Sequence, residues 1–238
     1  MKKILLLTAT VGLLLLASSA FGQEIIQMTF SGWDNQSWDS GGTGFYYGSV
    51  NGTPVGPGYA SPGYLCDDFT DEIYIPESWQ ANAYNVSALL SNWGTMSGDT
   101  FFGGKVGEAG YLEMAYLVEA SFQGTLGNIF AGATANDVSE VLWCITGGPT
   151  NCYSGSGGMS AAAWKLWQYV QANYQTFTAS EFANLWLYVP TCTQGSSGCQ
   201  QEMWGEVAVP EGGAALMYLL LAGVSCFGAM FLRSRRMA

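Results

Sequence analysis

Apolar and polar positions divide the chain into three regimes. Ile4 to Leu16 is an almost unbroken apolar run, and Ala214 to Leu232 is a second one without a charge. Between them the apolar residues recur at strand or helix spacing. Ile25–Phe30 and Gly44–Val50 are β-type runs, and Asn51-Gly52 after the second is a strong hairpin signal. Leu65 to Tyr74 reads as strand or loop. Over Glu108–Phe122, Tyr111, Leu112, Ala115, Tyr116, Val118 and Phe122 fall on one broad helical face. Thr134-x-x-Asp137, a shorter-chain variant of a capping box, precedes a helix over Val138–Ile145 that Gly147, Gly148 and Pro149 end. Ser160 caps a third helix, Ala161–Tyr174, with Trp164, Trp167 and Val170 toward the core. Leu185–Val189 reads as a strand stopped by Pro190, and Gln201–Val209 as its partner across the Cys192–Cys199 loop. The class is α+β: a single ectodomain with N-terminal β-hairpin strands, about three central helices and a closing β-hairpin, then a C-terminal transmembrane helix.

The two long apolar runs have different flanks. Lys2 and Lys3 precede the first, and the small residues Ala17, Ser18, Ser19 and Ala20 follow it, the order of a secretion signal. Cleavage after Gly22 leaves Gln23 as the N-terminus, and cleavage after Ala20 is the alternative. The run is shorter than the about 20 residues a span needs. The second run, as a helix rising about 1.5 Å per residue, crosses roughly 28 Å, close to a hydrocarbon core. Arg233, Arg235 and Arg236 follow it, so the positive-inside rule places them in the cytoplasm and everything before Val209 outside. The organisation expected is a signal peptide over 1–22, a secreted ectodomain over 23–208, and a C-terminal segment over 209–238 containing a transmembrane helix at 214–232.

Charge and cysteine usage narrow the chemistry. The formal net charge is −11, and the only basic residues between the two ends are Lys105 and Lys165. Nucleic acid is therefore excluded as a partner, because phosphate contacts need a basic surface. Histidine is absent, which removes Ser-His-Asp and Cys-His catalysis and histidine-ligated zinc. A carboxylate pair would suffice for a glycoside hydrolase. Asp67, Asp68 and Glu140 are the residues to consider, since the pattern brings the Cys66 strand near the helix carrying Glu140, and Trp33, Trp38, Trp79 and Trp93 would suit sugar stacking. No acid pair stands out, so no catalytic residue is assigned. The acidic run Asp67, Asp68, Asp71, Glu72 lacks the spacing and central glycine of an EF-hand loop, and no metal or other cofactor is assigned. Of the six cysteines, Cys226 lies in the span. Cys144 with Cys152, and Cys192 with Cys199, can each close a local loop, which leaves Cys66 as the odd thiol; Cys66–Cys144 is the rival pairing. Cysteine use of this kind suits an oxidising compartment.

Val209-Pro210-Glu211-Gly212-Gly213, the span, and Arg233-Ser234-Arg235-Arg236 together resemble the PEP-CTERM class of sorting signals. The resemblance implies a Gram-negative envelope protein whose tail is processed by a membrane enzyme of the exosortase type. The tail is a variant: Gly212 stands where a second proline often sits. Removal of the tail would leave the mature protein without a span.

A second resemblance lies in Cys66-Asp67-Asp68-Phe69, Tyr111-Leu112-x-x-Ala115-Tyr116-Leu117 and Val138-x-x-Val141-Leu142-Trp143. These blocks resemble an ectodomain found on such tails and the thioester domain of bacterial surface adhesins. In thioester domains a cysteine matching Cys66 bonds to a glutamine four residues before the tryptophan. Ser139 occupies that position here and has no carboxamide, so no internal thioester is expected. The reading reached is an exported, non-catalytic surface or exopolysaccharide-matrix protein with an adhesive role, passing through an inner-membrane intermediate. The alternatives are an extracellular carboxylate-based glycoside hydrolase and a permanently anchored single-span membrane protein.

Overall fold

A computed structural model describes residues 24–33, 37–38, 41–42, 44–68, 76–147 and 158–206. The expected secretion signal, the sorting tail with its span, Cys152, Asp71 and Glu72 lie outside these residues. Among the described residues no helix is long and apolar enough to cross a membrane.

The fold combines helices with one curled antiparallel sheet. Its strands are β1 (Glu24–Trp33), β4 (Tyr46–Val50), β5 (Thr53–Val55), β6 (Leu65–Cys66), β7 (Glu77–Asn85), β8 (Trp186–Pro190) and β9 (Met203–Gly205), in the spatial order β5-β4-β1-β7-β8-β9-β6. A separate ribbon pairs β2 (Ser37–Trp38) with β3 (Gly41–Gly42). The β4–β5 turn is Asn51-Gly52 with φ of 47° and 78°, the two positive values a type I′ hairpin requires. The sheet curls back on itself where Tyr46 and Tyr64 exchange backbone hydrogen bonds of 2.9 and 2.8 Å, joining the approach to β6 to the start of β4.

Strand alternation gives this sheet two apolar faces. Ile26, Met28 and Phe30 of β1, Trp79, Ala81 and Ala83 of β7, Tyr188, Met203 and Cys66 fill an inner core. Tyr84, Leu187, Val189, Trp204 and Leu65 point the other way, into a core shared with the helices. Each large side chain fully buried in this way contributes about 1.5–3 kcal/mol.

The helices are α1 (Val86–Ser91), α2 (Trp93–Met96), α3 (Gly103–Phe122), α4 (Leu126–Ile129), α5 (Ala135–Gly147) and α6 (Ala161–Asn173). Gly107, at φ 69°, breaks α3, so the long uninterrupted helix begins at Glu108 as its apolar spacing predicts. Its buried face is Tyr111, Met114, Ala115, Leu117 and Val118, while Leu112, Tyr116 and Phe122 flank it half-buried. At the start of α5, Asp137 accepts hydrogen bonds from the Thr134 N–H (2.7 Å) and hydroxyl (2.8 Å). Ser160 caps α6 by accepting from the Ala163 N–H at 2.9 Å. The core face of α6 is Ala163, Leu166 and Val170. Trp164 and Trp167 are half-buried beside it and pack on each other, with ring centroids 4.9 Å apart.

Two features differ from the sequence expectation. The central strand β7 is absent from it, because its inward positions are filled largely by alanine, which carries a weak apolar signal. The N-terminal strands and the closing hairpin also share one sheet, a connection the sequence reading did not draw, since β7 pairs with both β1 and β8.

Candidate functional site

The residues with the most perturbed chemistry converge where β6 meets β9. Leu65 pairs with Trp204 and Cys66 with Met203, which sets Asp67 opposite Glu202 on the face toward the helices. The Asp67 N–H reaches the Glu202 carbonyl at 3.4 Å, and their carboxyl groups are hydrogen-bonded to each other. The Trp204 indole N–H donates to Asp67 Oδ2 at 2.7 Å. Tyr111 Oη, from α3, donates to Glu202 Oε1 at 2.6 Å, and the Phe101 N–H donates to Oε2 at 2.9 Å. The Thr146 hydroxyl, from the last turn of α5, donates to the Asp67 carbonyl. Asp67, Asp68, Glu202, Tyr111 and Trp204 are all completely buried.

Such burial sets the protonation states. Loss of hydration pushes Asp67 well above the usual carboxylate range, and the neighbouring Glu202 charge adds to it. Glu202 is raised to about 7 by burial, held back by the hydrogen bonds from the Phe101 N–H and Tyr111. A hydrogen bond between two carboxyl groups requires a proton on one of them. The pair is therefore a carboxylic acid donating to a carboxylate, sealed from water and bracketed by three outside donors.

Cys66 lies next to this pair but faces the inner core. Its sulfur contacts the backbone of Asp68, 3.1 Å from the carbonyl and 3.3 Å from the N–H, and the Trp143 side chain faces it. Burial, followed by the Asp67 and Asp68 charges, raises the thiol well above its ordinary value. A buried, protonated thiol is a poor nucleophile. Ser139 is also buried; its hydroxyl accepts from the Gly44 N–H at 3.1 Å and donates to the Ala135 carbonyl at 3.3 Å.

Glu140 does not join the carboxyl pair. Its carboxylate accepts the Ser160 N–H at 2.6 Å and so anchors the start of α6. The partner that the fold gives Asp67 is Glu202, which the sequence reading passed over. Its signal was an acid in the apolar phase of Gln201–Gly205. The Asp67–Glu202 contact leaves no room for a glycosidic bond between the two groups, which glycosidase pairs hold about 5 Å or more apart. The tryptophans proposed for sugar stacking also have other partners. Trp79 is 5% exposed in the inner core, and Trp93 packs on Tyr111 with centroids 5.0 Å apart. Trp33 is 40% exposed beside Phe30. The side chain of Trp38 lies outside the described residues.

Cys192 and Cys199 form a disulfide. Cys144 is disulfide-bonded and Cys66 is a free thiol, so the rival Cys66–Cys144 pairing does not occur; the other half of the Cys144 bridge lies outside the described residues. Among those residues no group of three or more acidic or cysteine side chains converges to hold a metal ion.

No protein-family model matches the chain, and no curated protein matches it. Among solved structures, the N-terminal domain of the Streptococcus pyogenes pilus tip adhesin Cpa is similar at a TM-score of 0.39 and 10% identity, over 77% of this chain and 94% of that one. A likeness at this level does not extend to function.

Proposed function

We propose that this is an exported envelope protein with a non-catalytic ectodomain, delivered by a PEP-CTERM-type tail to the cell surface or the exopolysaccharide matrix. The observation that carries the proposal is the ordered tail: Val209-Pro210-Glu211-Gly212-Gly213, an uncharged run of spanning length, then Arg233, Arg235 and Arg236. An N-terminal secretion pattern at the other end agrees with it. The Cys192–Cys199 bridge suits an oxidising compartment. The burial of Cys66, Asp67 and Glu202 supports a structural role for the groups that would otherwise invite a catalytic one.

The partners proposed are an exosortase-type processing enzyme, the membrane during sorting, and matrix polysaccharide afterwards. A permanently anchored single-span protein is the second reading, favoured only by Gly212 in place of proline. Expression of the full chain with and without Pro210→Ala/Glu211→Ala separates the two. Sorting predicts that the parent chain reaches the surface or matrix fraction and that the variant accumulates in the inner membrane. Identical inner-membrane distribution of both would refute it.

A further inference from the structure

A cleft of about 320 Å³ opens between the Gly98–Phe101 turn and the Pro190–Gln194 segment, over Asn82 and Val189. Asn82 and Val189 are cross-strand partners on β7 and β8, so their side chains share one face of the sheet. Asp99, Thr100 and Phe101 form one wall, and Thr191, Thr193 and Gln194 form the other.

Both walls are fixed by the strongest restraints nearby. The Phe101 N–H is held by Glu202, which Tyr111 and Asp67 hold in turn. Thr100 accepts the Gly103 N–H at 3.1 Å and donates to the Ser97 carbonyl at 3.0 Å, closing the same turn. Opposite, the Cys192–Cys199 disulfide closes the loop, and the Thr191 N–H bonds the Gln80 carbonyl at 3.1 Å. The cleft is thus built before any ligand arrives, which lowers the ordering cost of binding.

Its chemistry selects a ligand class. The lining offers amides from Asn82 and Gln194, hydroxyls from the threonines and one carboxylate from Asp99, with half-buried Phe101 as its apolar surface above the buried Val189 and Pro190. None of the lining residues is basic, so an anionic ligand would meet the Asp99 charge without compensation. Amide, hydroxyl and carboxylate groups beside a small apolar surface match a molecule with many hydroxyls and a small apolar face. We infer that this cleft is a binding site for a neutral saccharide unit, the point at which the ectodomain holds a polysaccharide chain. The inference rests on the matrix reading above and specifies it.

Binding of the full chain in detergent to neutral matrix polysaccharide, and to cellotetraose, chitotetraose and tetragalacturonate, tests this by calorimetry. The cleft predicts binding to the matrix polysaccharide and to a neutral tetrasaccharide, with at least a tenfold loss in Asn82→Ala/Gln194→Ala. Asp99→Asn, a near-isosteric change on an exposed turn, should weaken neutral binding without lowering the melting temperature. Equal binding by parent and variants of unchanged melting temperature would overturn the cleft, as would preference for tetragalacturonate or absence of neutral binding. Fractionation of the same chains reports separately on sorting, so a protein found in the matrix but indifferent to these substitutions refutes the cleft alone.

Discussion

Asp67 and Glu202 face each other just beyond the paired residues of β6 and β9, with their buried carboxyl groups in hydrogen-bonding contact. Around them, Trp204, Tyr111 and the Phe101 N–H each supply a donor. This cluster ties the last strands of the curled sheet to α3 and to the turn before it. Its energetic weight comes from what would be stranded if one member were removed.

Glu202→Ala should therefore cost about 3–5 kcal/mol, since it leaves the Tyr111 hydroxyl, the Phe101 N–H and protonated Asp67 unpaired in a buried cavity. Tyr111→Phe removes a single donor and should cost about 1.5–3 kcal/mol. Urea unfolding of the full chain in detergent measures both. Equal, sub-kilocalorie losses, roughly those of an ordinary surface change, would show that the cluster does not bear on stability.

The same pair sets a pH dependence. Glu202 is raised in the folded state from 4.5 to about 7, so the native protein holds a proton that the unfolded chain releases. Stability is then complete below about pH 4.5 with respect to this group, declines as pH rises, and has lost the contribution once pH passes about 7. The shift corresponds to about 3 kcal/mol at ~1.4 kcal/mol per tenfold change in acidity. Asp67, raised as well, extends the decline to higher pH. Melting temperature should fall between pH 5 and pH 8, and Glu202→Gln should flatten the profile over that interval. A melting temperature that rises over it in the parent chain would contradict the assignment.

Much of this fold was legible along the chain, and the reasons for the omissions are physical. The Asn51-Gly52 hairpin, the start of the long helix at Glu108 and the cap at Ser160 each depend on local chemistry, which a sequence displays directly. Strand β7 was missed because Ala81 and Ala83, its inward residues, are small where the curled sheet leaves little space. Trp164 and Trp167 fall within the apolar arc of α6, yet Ala163 and Leu166 occupy its centre, where the small side chain lets α6 approach its neighbours. The carboxyl pair was half visible. Asp67 was singled out, but its partner is 135 positions away and only the β6–β9 register brings them together.

The disulfide between Cys192 and Cys199 closes the loop joining β8 to β9, with a sequence separation of 7. Loop-closure entropy assigns a ring of that size about 2 kcal/mol. Cys192→Ser/Cys199→Ser should lower stability by roughly that amount while leaving the circular dichroism of the native state unchanged. A gain in stability would contradict the entropic role.

Cys66 should be inert in the native protein. Its burial and raised pKa predict no alkylation by iodoacetamide until the chain unfolds, then one adduct per chain at this position. Ser139 offers no carboxamide, so intact mass should show no loss of ammonia. A native-state mass lower by about one ammonia, restored by amine treatment, would establish the covalent chemistry that the Ser139 hydroxyl cannot supply.

The central claim concerns the destination of the protein and what is left behind on the way. Its most direct measurement follows the full chain in its own cells with one epitope tag after Ala238 and a second inserted in the exposed Pro57–Ala60 loop, away from the cleft. The account predicts that the mature protein carries the loop tag into the surface or matrix fraction, and that the C-terminal tag is absent from it. A mature protein that keeps both tags in the inner membrane would contradict the account.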